Sequence, residues 1–243
     1  MLRTTCCLIT GANRGIGLEF VRQIINLNPK PINVIATCRN PDKAEELRKL
    51  KSSSTNLHIV QLDVRDFPNY DKFYSQVNSI VGSNGLDLLI NNAGIAQFKT
   101  LNQVTPTDML ESYEVNTVAP LLLTKTFLPL LKSSGKDEGS TKLIVNMGTT
   151  VASIEQNNQG GMYPYRASKV ALNMISRSVA TDLAKEGILC VSINPGWVKT
   201  DMGGKKAPMA VDQSVTKMLK TLSLVDKNSN GKMINFDGKI IPW

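Results

Sequence analysis

Short apolar runs alternate with longer segments of helical period nearly to the end of the chain. The runs at residues 6–10, 33–37, 57–62, 86–91, 142–147, 189–194 and 233–236 are near-continuous and rich in Val, Ile and Leu, which predicts strands buried on both faces. Between them, residues 15–27, 41–50, 69–81, 107–131, 163–186 and 210–222 follow a helical period and predict amphipathic helices. Strand and helix in strict alternation predict right-handed crossovers and an α/β architecture: a doubly wound parallel sheet with helices on both faces. Ligands of such a sheet bind beyond the carboxyl ends of its strands. The polar stretches 132–141 and 226–232 read as surface loops, too short to link separate folding units, so residues 1–243 are expected to form one domain. The Gly- and Lys-containing residues 203–208, which follow Trp197–Met202, form a candidate mobile flap over a site.

Composition narrows the partners. With 42% hydrophobic and 20% charged residues in 243, the chain has the ordinary balance of a soluble globular protein. Its formal charge of +8 could suit a polyanion, but the basic residues are scattered and no basic stripe is interleaved with aromatics. Nucleic acid is therefore not an expected partner. Cys6 and Cys7 are adjacent, so a strand would point them to opposite faces, and Cys38 and Cys190 fall in or beside other strand-like runs. No Cys-x-x-Cys and no Cys/His cluster is present, which speaks against a zinc site or redox dithiol and for buried thiols in a reducing compartment. The N-terminal segment lacks the layout of a signal peptide and no apolar run approaches membrane-spanning length, so a cytoplasmic protein without membrane contact is expected.

Two stretches carry candidate chemistry. The first strand leads into Thr10-Gly11-Ala12-Asn13-Arg14-Gly15-Ile16-Gly17 and then directly into a helix. Glycines there allow a tight turn and a close backbone approach to a pyrophosphate, held by N–H groups at the helix N-terminus. The second stretch, Tyr165-Arg166-Ala167-Ser168-Lys169, puts a phenol and an ammonium one helical turn apart. A fixed cation favours the phenolate and would bring the tyrosine's acid–base chemistry nearer neutral pH. Taken alone, that pair is more often a half-buried tyrosine beside a solvated lysine.

Together with Asn91-Asn92-Ala93-Gly94 after the fourth strand, Asn116 in Glu114-Val115-Asn116-Thr117, and Pro195-Gly196-Trp197-Val198-Lys199-Thr200 after the sixth, these motifs resemble the short-chain dehydrogenase/reductase family. The resemblance covers nearly the whole chain, and its Gly-x-x-x-Gly-x-Gly spacing differs from the long-chain dinucleotide fingerprint. Gly160-Gly161-Met162-Tyr163-Pro164-Tyr165, Asp201-Met202 after the Pro195 motif, and the ending Phe236-Asp237-Gly238…Pro242-Trp243 resemble more narrowly the sniffer and C-factor group of carbonyl reductases.

The resemblance implies a Rossmann-type fold and NADPH/NADP+ as cofactor. Gly11, Asn13, Arg14, Gly15, Ile16, Gly17, Asp63, Val64, Asn92, Ala93, Gly94, Pro195, Gly196, Val198 and Thr200 would bind it, with Tyr165 and Lys169 at the nicotinamide end. Charge supports the phosphorylated form. The acid that NAD-dependent proteins commonly place after the second strand is absent from Ala36-Thr37-Cys38-Arg39, and Arg39 with Arg14 could pair with a 2′-phosphate. Both arginines could also simply be solvated.

By the same resemblance, Tyr165 would protonate the carbonyl oxygen of a small-molecule substrate during hydride transfer. Lys169 would lower its pKa and bind the nicotinamide ribose, and Asn116 would orient a water between Lys169 and solvent. The chain departs from the family where a catalytic serine is usual: Asn146-Met147-Gly148-Thr149-Thr150 offers Thr149 in its place. The threonine hydroxyl has the same donor and acceptor capacity, but its methyl restricts χ1 and takes up pocket volume. Thr150 and Ser153 are alternative donors. Ile95, Phe98, Met147, Ile154, Trp197 and Met202 could wall an apolar pocket or belong to the core. The lone histidine, His58, sits in a strand far from these motifs and offers no Ser–His hydrolase chemistry. The motifs predict a carbonyl reductase acting on an aldehyde, ketone or quinone. The alternative, motivated by Thr149, is a nucleotide-binding regulatory or scaffold protein with little turnover. Oligomeric state stays open.

Overall fold

The computed structural model of the chain describes residues 2–135 and 141–243, so part of the expected loop at 132–141 lies outside the described residues. Each apolar run becomes a strand: β1 (Cys6–Ile9), β2 (Asn33–Cys38), β3 (Leu57–Gln61), β4 (Leu88–Asn91), β5 (Lys142–Met147), β6 (Ile188–Asn194) and β7 (Met233–Asn235). They form one parallel sheet in the order β3-β2-β1-β4-β5-β6-β7, and β8 (Ile240–Ile241) adds an antiparallel edge beside β7. The chain turns from one side of β1 to the other between β3 and β4, and the cleft at that reversal opens above the carboxyl ends of β1 and β4.

Helices α1 (Gly15–Ile24), α2 (Glu45–Ser52), α3 (Tyr70–Val81), α4 (Pro106–Tyr113), α5 (Ala119–Ser133), α6 (Tyr163–Asp182) and α7 (Val211–Leu222) cover both faces. Phe20, Ile24, Leu47, Val215 and Met218 from α1, α2 and α7 fill one layer, and Phe73, Val77, Leu123, Phe127 and Val179 from α3, α5 and α6 fill the other. The pleat sends Cys7 into the first layer and Cys6 into the second, where both thiols stay free and buried. His58 lies on edge strand β3, its Nε2 2.9 Å from Asn33 Oδ1.

Several expected boundaries shift for physical reasons. The run at 86–91 pairs as a strand only from Leu88, because Leu86 N–H turns to the Leu130 carbonyl and Asp87 serves as a clamp. Its carboxylate accepts from Thr4 Oγ1 and Thr5 N at 2.7 Å and from Cys6 N at 3.0 Å. The helix expected over 107–131 is two helices joined by a π-turn at Glu114–Val118. Pro120 has no N–H to give the carbonyl of Asn116 four residues back, and the ladder steps out of register there. The helix expected to reach 186 ends at Asp182, and a 3₁₀ turn, Ala184–Glu186, completes the connection. Among the described residues no helix is long and apolar enough to cross a membrane.

Candidate active site

The glycine turn is held open by its neighbour on β4. Thr10 Oγ1 accepts from the N–H groups of Asn92 and Ala93, each at 3.0 Å, while Asn92 Nδ2 donates to the carbonyls of Thr10 at 2.8 Å and Gly11 at 3.1 Å. Asn92 thus supports the cofactor turn from behind. Gly11 sits at φ +64°, and a Cβ there would come within 2.9 Å of Ala93 Cα; one on Gly17 would collide with the Gly11 carbonyl and the Asn92 amide. Arg14 enters α1 in extended geometry without a side-chain cap, and no acidic residue occupies the first turn. Helix N–H groups are left for an anion.

This turn forms one wall of a cleft of about 660 Å³. Gly11, Asn13, Arg14, Gly15, Ile16, Gly17, Arg39, Asp63, Val64, Asn92, Ala93, Gly94, Tyr165, Lys169, Pro195 and Thr200 all line it, bringing together residues from five strand ends. Gly196, Val198, Asn116 and Thr149 do not line it. Val198 is buried in a bridge to Met209, and Gly196, at φ +82°, lies against the ring of Phe236. The sequence reading missed Arg65, Glu111, Gly148 and Asp201 among the lining residues. Arg65 is the one that spacing could have offered, since it follows Asp63-Val64 directly and its N–H donates to Asp63 Oδ1 at 3.0 Å.

The two candidate phosphate-binding arginines differ. Arg39 is exposed and, among the described residues, in no ion pair, while its carbonyl accepts from Gln61 Nε2 at 3.1 Å. Arg14 Nη1 lies 2.7 Å from Asp201 Oδ2, and both side chains are largely exposed. The pair therefore contributes little to stability, about 0–1 kcal/mol, yet it bridges the glycine turn to the segment after β6. That segment, including the expected flap at 203–208, is internally bonded: Lys199 N–H reaches the Met209 carbonyl, Gly204 N–H reaches the Thr200 carbonyl, and Trp197 Nε1 donates to the Gly203 carbonyl at 2.7 Å.

At the other end, α6 carries Tyr165 and Lys169. Lys169 is buried, its Nζ donates to the Met147 carbonyl at 2.8 Å, and burial lowers its pKa to about 8. Burial raises the pKa of Tyr165, and a side-chain hydrogen bond with Thr149 opposes that rise. Thr149 Oγ1 accepts from Val151 N–H at 3.4 Å. Of the alternative donors, Thr150 is exposed, while Ser153 is buried and donates to the Trp243 carbonyl at 3.4 Å.

Asn116 is wholly buried in the π-turn. Its Oδ1 accepts from Ile95 N–H, its Nδ2 donates to the Ile95 carbonyl, both at 2.9 Å, and Nδ2 also donates to Ser168 Oγ at 3.0 Å. The amide braces the strand-end loop against α6. Of the six apolar candidates, Met147 is buried and Ile95 half-buried. Phe98, Ile154, Trp197 and Met202 are exposed, with Phe98 edge-on to Tyr165 at 6.2 Å between ring centroids. Ile95, Met147 and Met202 line the cleft, whereas Phe98, Ile154 and Trp197 are not among its lining residues.

Known proteins share this fold. The chain is 44% identical to an NADPH-bound carbonyl reductase from chicken fatty liver, covering 100% of both chains at a TM-score of 0.95. It is 40% identical to the carbonyl reductase Sniffer of D. melanogaster, covering 99% of this chain and 100% of that one at a TM-score of 0.96. C-signal of Myxococcus xanthus is 36% identical over 65% of this chain and 93% of its own length. The family model described as short chain dehydrogenase matches residues 5–210. The chain belongs to the short-chain dehydrogenase family of oxidoreductases.

Proposed function

We propose that the protein reduces a small carbonyl compound, an aldehyde, ketone or quinone, to an alcohol with NADPH. The observation that carries this reading is one cleft lined by Tyr165, Lys169, the glycine turn and Arg39, with Thr149 hydrogen-bonded to the Tyr165 phenol. The cleft fits the cofactor: the uncapped α1 N-terminus and the side-chain-free glycine turn suit a pyrophosphate, and Arg39 suits a 2′-phosphate. The 44% identical chicken protein is NADPH-bound. When bound, NADPH supplies the hydride that adds to the carbonyl carbon.

Tyr165 gives its phenolic proton to the carbonyl oxygen, and its raised pKa keeps that proton in place at neutral pH until charge develops on the oxygen. The Thr149 hydroxyl donates to the same oxygen and stabilises the developing charge. Lys169 would hold the nicotinamide ribose hydroxyls and return a proton toward Tyr165. The Asn116 side chain is committed to Ile95 and Ser168, so its part in that return falls to the main-chain carbonyl that Pro120 leaves without an α-helical donor. Phe98 beside Tyr165, with Ile95, Met147 and Met202 lining the cleft, favours apolar substrates.

The test is NADPH oxidation at 340 nm against a panel of aldehydes, ketones and quinones, with Tyr165→Phe as control. Turnover lost in the variant while NADPH still binds is the expected result. NADPH binding without turnover in the wild type would favour a scaffold role instead.

A further inference from the structure

Arg166, next to the proton donor, has no part in the chemistry above, yet its placement is costly in three ways. It is only 9% exposed, its Nε is buried with no hydrogen-bond partner, and among the described residues it pairs with no carboxylate. It also lies in the first turn of α6, where the helix dipole disfavours a cation. A buried guanidinium with an unpaired N–H is destabilising unless it holds something that matters.

What it holds is the turn after β5. Arg166 Nη1 donates to the Val151 carbonyl at 2.7 Å, a charge-assisted bond, and the N–H of the same Val151 donates to Thr149 Oγ1 at 3.4 Å. Thr149 and Thr150 carbonyls accept from Ala152 and Ser153, so the turn behaves as one short unit. Val151 N–H takes one of the two lone pairs of the Thr149 oxygen, and the hydroxyl proton is available to donate toward the Tyr165 oxygen.

We infer that Arg166 is a positioning residue, fixing the 149–153 turn through Val151 so that the Thr149 hydroxyl points at the Tyr165 phenol, beside which the substrate oxygen would sit. A threonine, with χ1 restricted by its methyl, cannot swing to recover a misplaced hydroxyl as a serine could, so the turn itself must be held. The inference rests on the reductase reading.

The test is a double-mutant cycle between Arg166→Met and Thr149→Val, with kcat, KM and NADPH Kd measured for each. Displacement of the hydroxyl by about 1 Å should lower kcat about 10²-fold in Arg166→Met, with NADPH Kd unchanged. In the Thr149→Val background the same change should have almost no further effect on kcat, because there is no hydroxyl left to place. Arg166→Lys, which keeps one donor and the charge, should recover part of the loss, and it carries the cycle if the Met variant does not fold. An equal loss in both backgrounds, or no loss in either, overturns the inference. If the wild type turns over no carbonyl, the reductase reading fails separately. Spectroscopic titration of Tyr165, against Tyr165→Phe, then decides on Arg166 alone: the inference requires Arg166→Met to raise the phenol pKa as Thr149→Val does, and an unmoved phenol overturns it.

Discussion

Lys169 holds the main-chain carbonyl of Met147 with its ammonium, 2.8 Å away, rather than the phenol of Tyr165 one turn back on the same helix. Without cofactor the lysine is a buried cation with a single carbonyl partner, which explains why its pKa falls from 10.5 to about 8.

The sign of the stability effect follows. The folded protein binds this proton more weakly than the unfolded chain, so the penalty is complete below about pH 8. It is relieved as pH rises from about 8 to 10.5, where the unfolded lysine also loses its proton. Lys169→Met should therefore stabilise the cofactor-free protein by about 1–3 kcal/mol at pH 7 and abolish turnover. Urea unfolding at pH 7 and pH 10.5 checks it. A variant less stable than wild type at both values would contradict the buried-cation account.

Arg39→Asp should weaken NADPH binding by about 2–4 kcal/mol, removing a phosphate partner and adding a repulsive charge, and should leave NADH binding much less affected. Fluorescence titration with both nucleotides measures the split. Unchanged NADPH affinity would move the 2′-phosphate to other cations, of which Arg65 lines the same cleft.

Thr149→Val keeps the branched shape and removes the donor, so kcat should fall about 10²–10³-fold. Thr149→Ser keeps the donor and should retain activity, with a gain for bulky ketones. Thr150→Val should be near neutral, since that side chain is exposed. A loss confined to Thr150→Val in the same assay would shift the role one residue along.

Asn92→Ala should cost about 1–3 kcal/mol of stability, because it strips the donor from the buried side of two carbonyls in the glycine turn. Asn13→Ala, at an exposed position of the same turn, should cost far less. Equal unfolding midpoints for the two variants would mean that Asn92 does not brace the turn.

The sheet was readable from sequence because strands buried on both faces leave unbroken apolar runs, and all seven such runs became strands. β8 was not, since two residues give no period. Arg14 and Asp201 are 187 residues apart, and no local pattern encodes that meeting. The site was readable where a motif is local, as in residues 10–17 and 165–169. It was not readable where the partner is backbone: nothing in the sequence announces that Lys169 meets the Met147 carbonyl. Asn92 lines the cleft as expected of a cofactor-binding residue, while the bracing of neighbouring loops by the Asn92 and Asn116 amides was not legible, because their partners are distant main-chain groups and Ser168.

The π-turn in the rod from Pro106 to Ser133 has a geometric consequence. One extra residue in a helix turns everything before it by about 100° relative to everything after it. The face that α4 presents is thus out of phase with the face that α5 packs on the sheet, and a regular helix could not satisfy both. Asn116 reaches Ile95 and Ser168 at once because it sits inside that phase slip. A missing N–H at Pro120 thereby sets the azimuth of a whole helix, a form of control that acts through an absent bond rather than a present one.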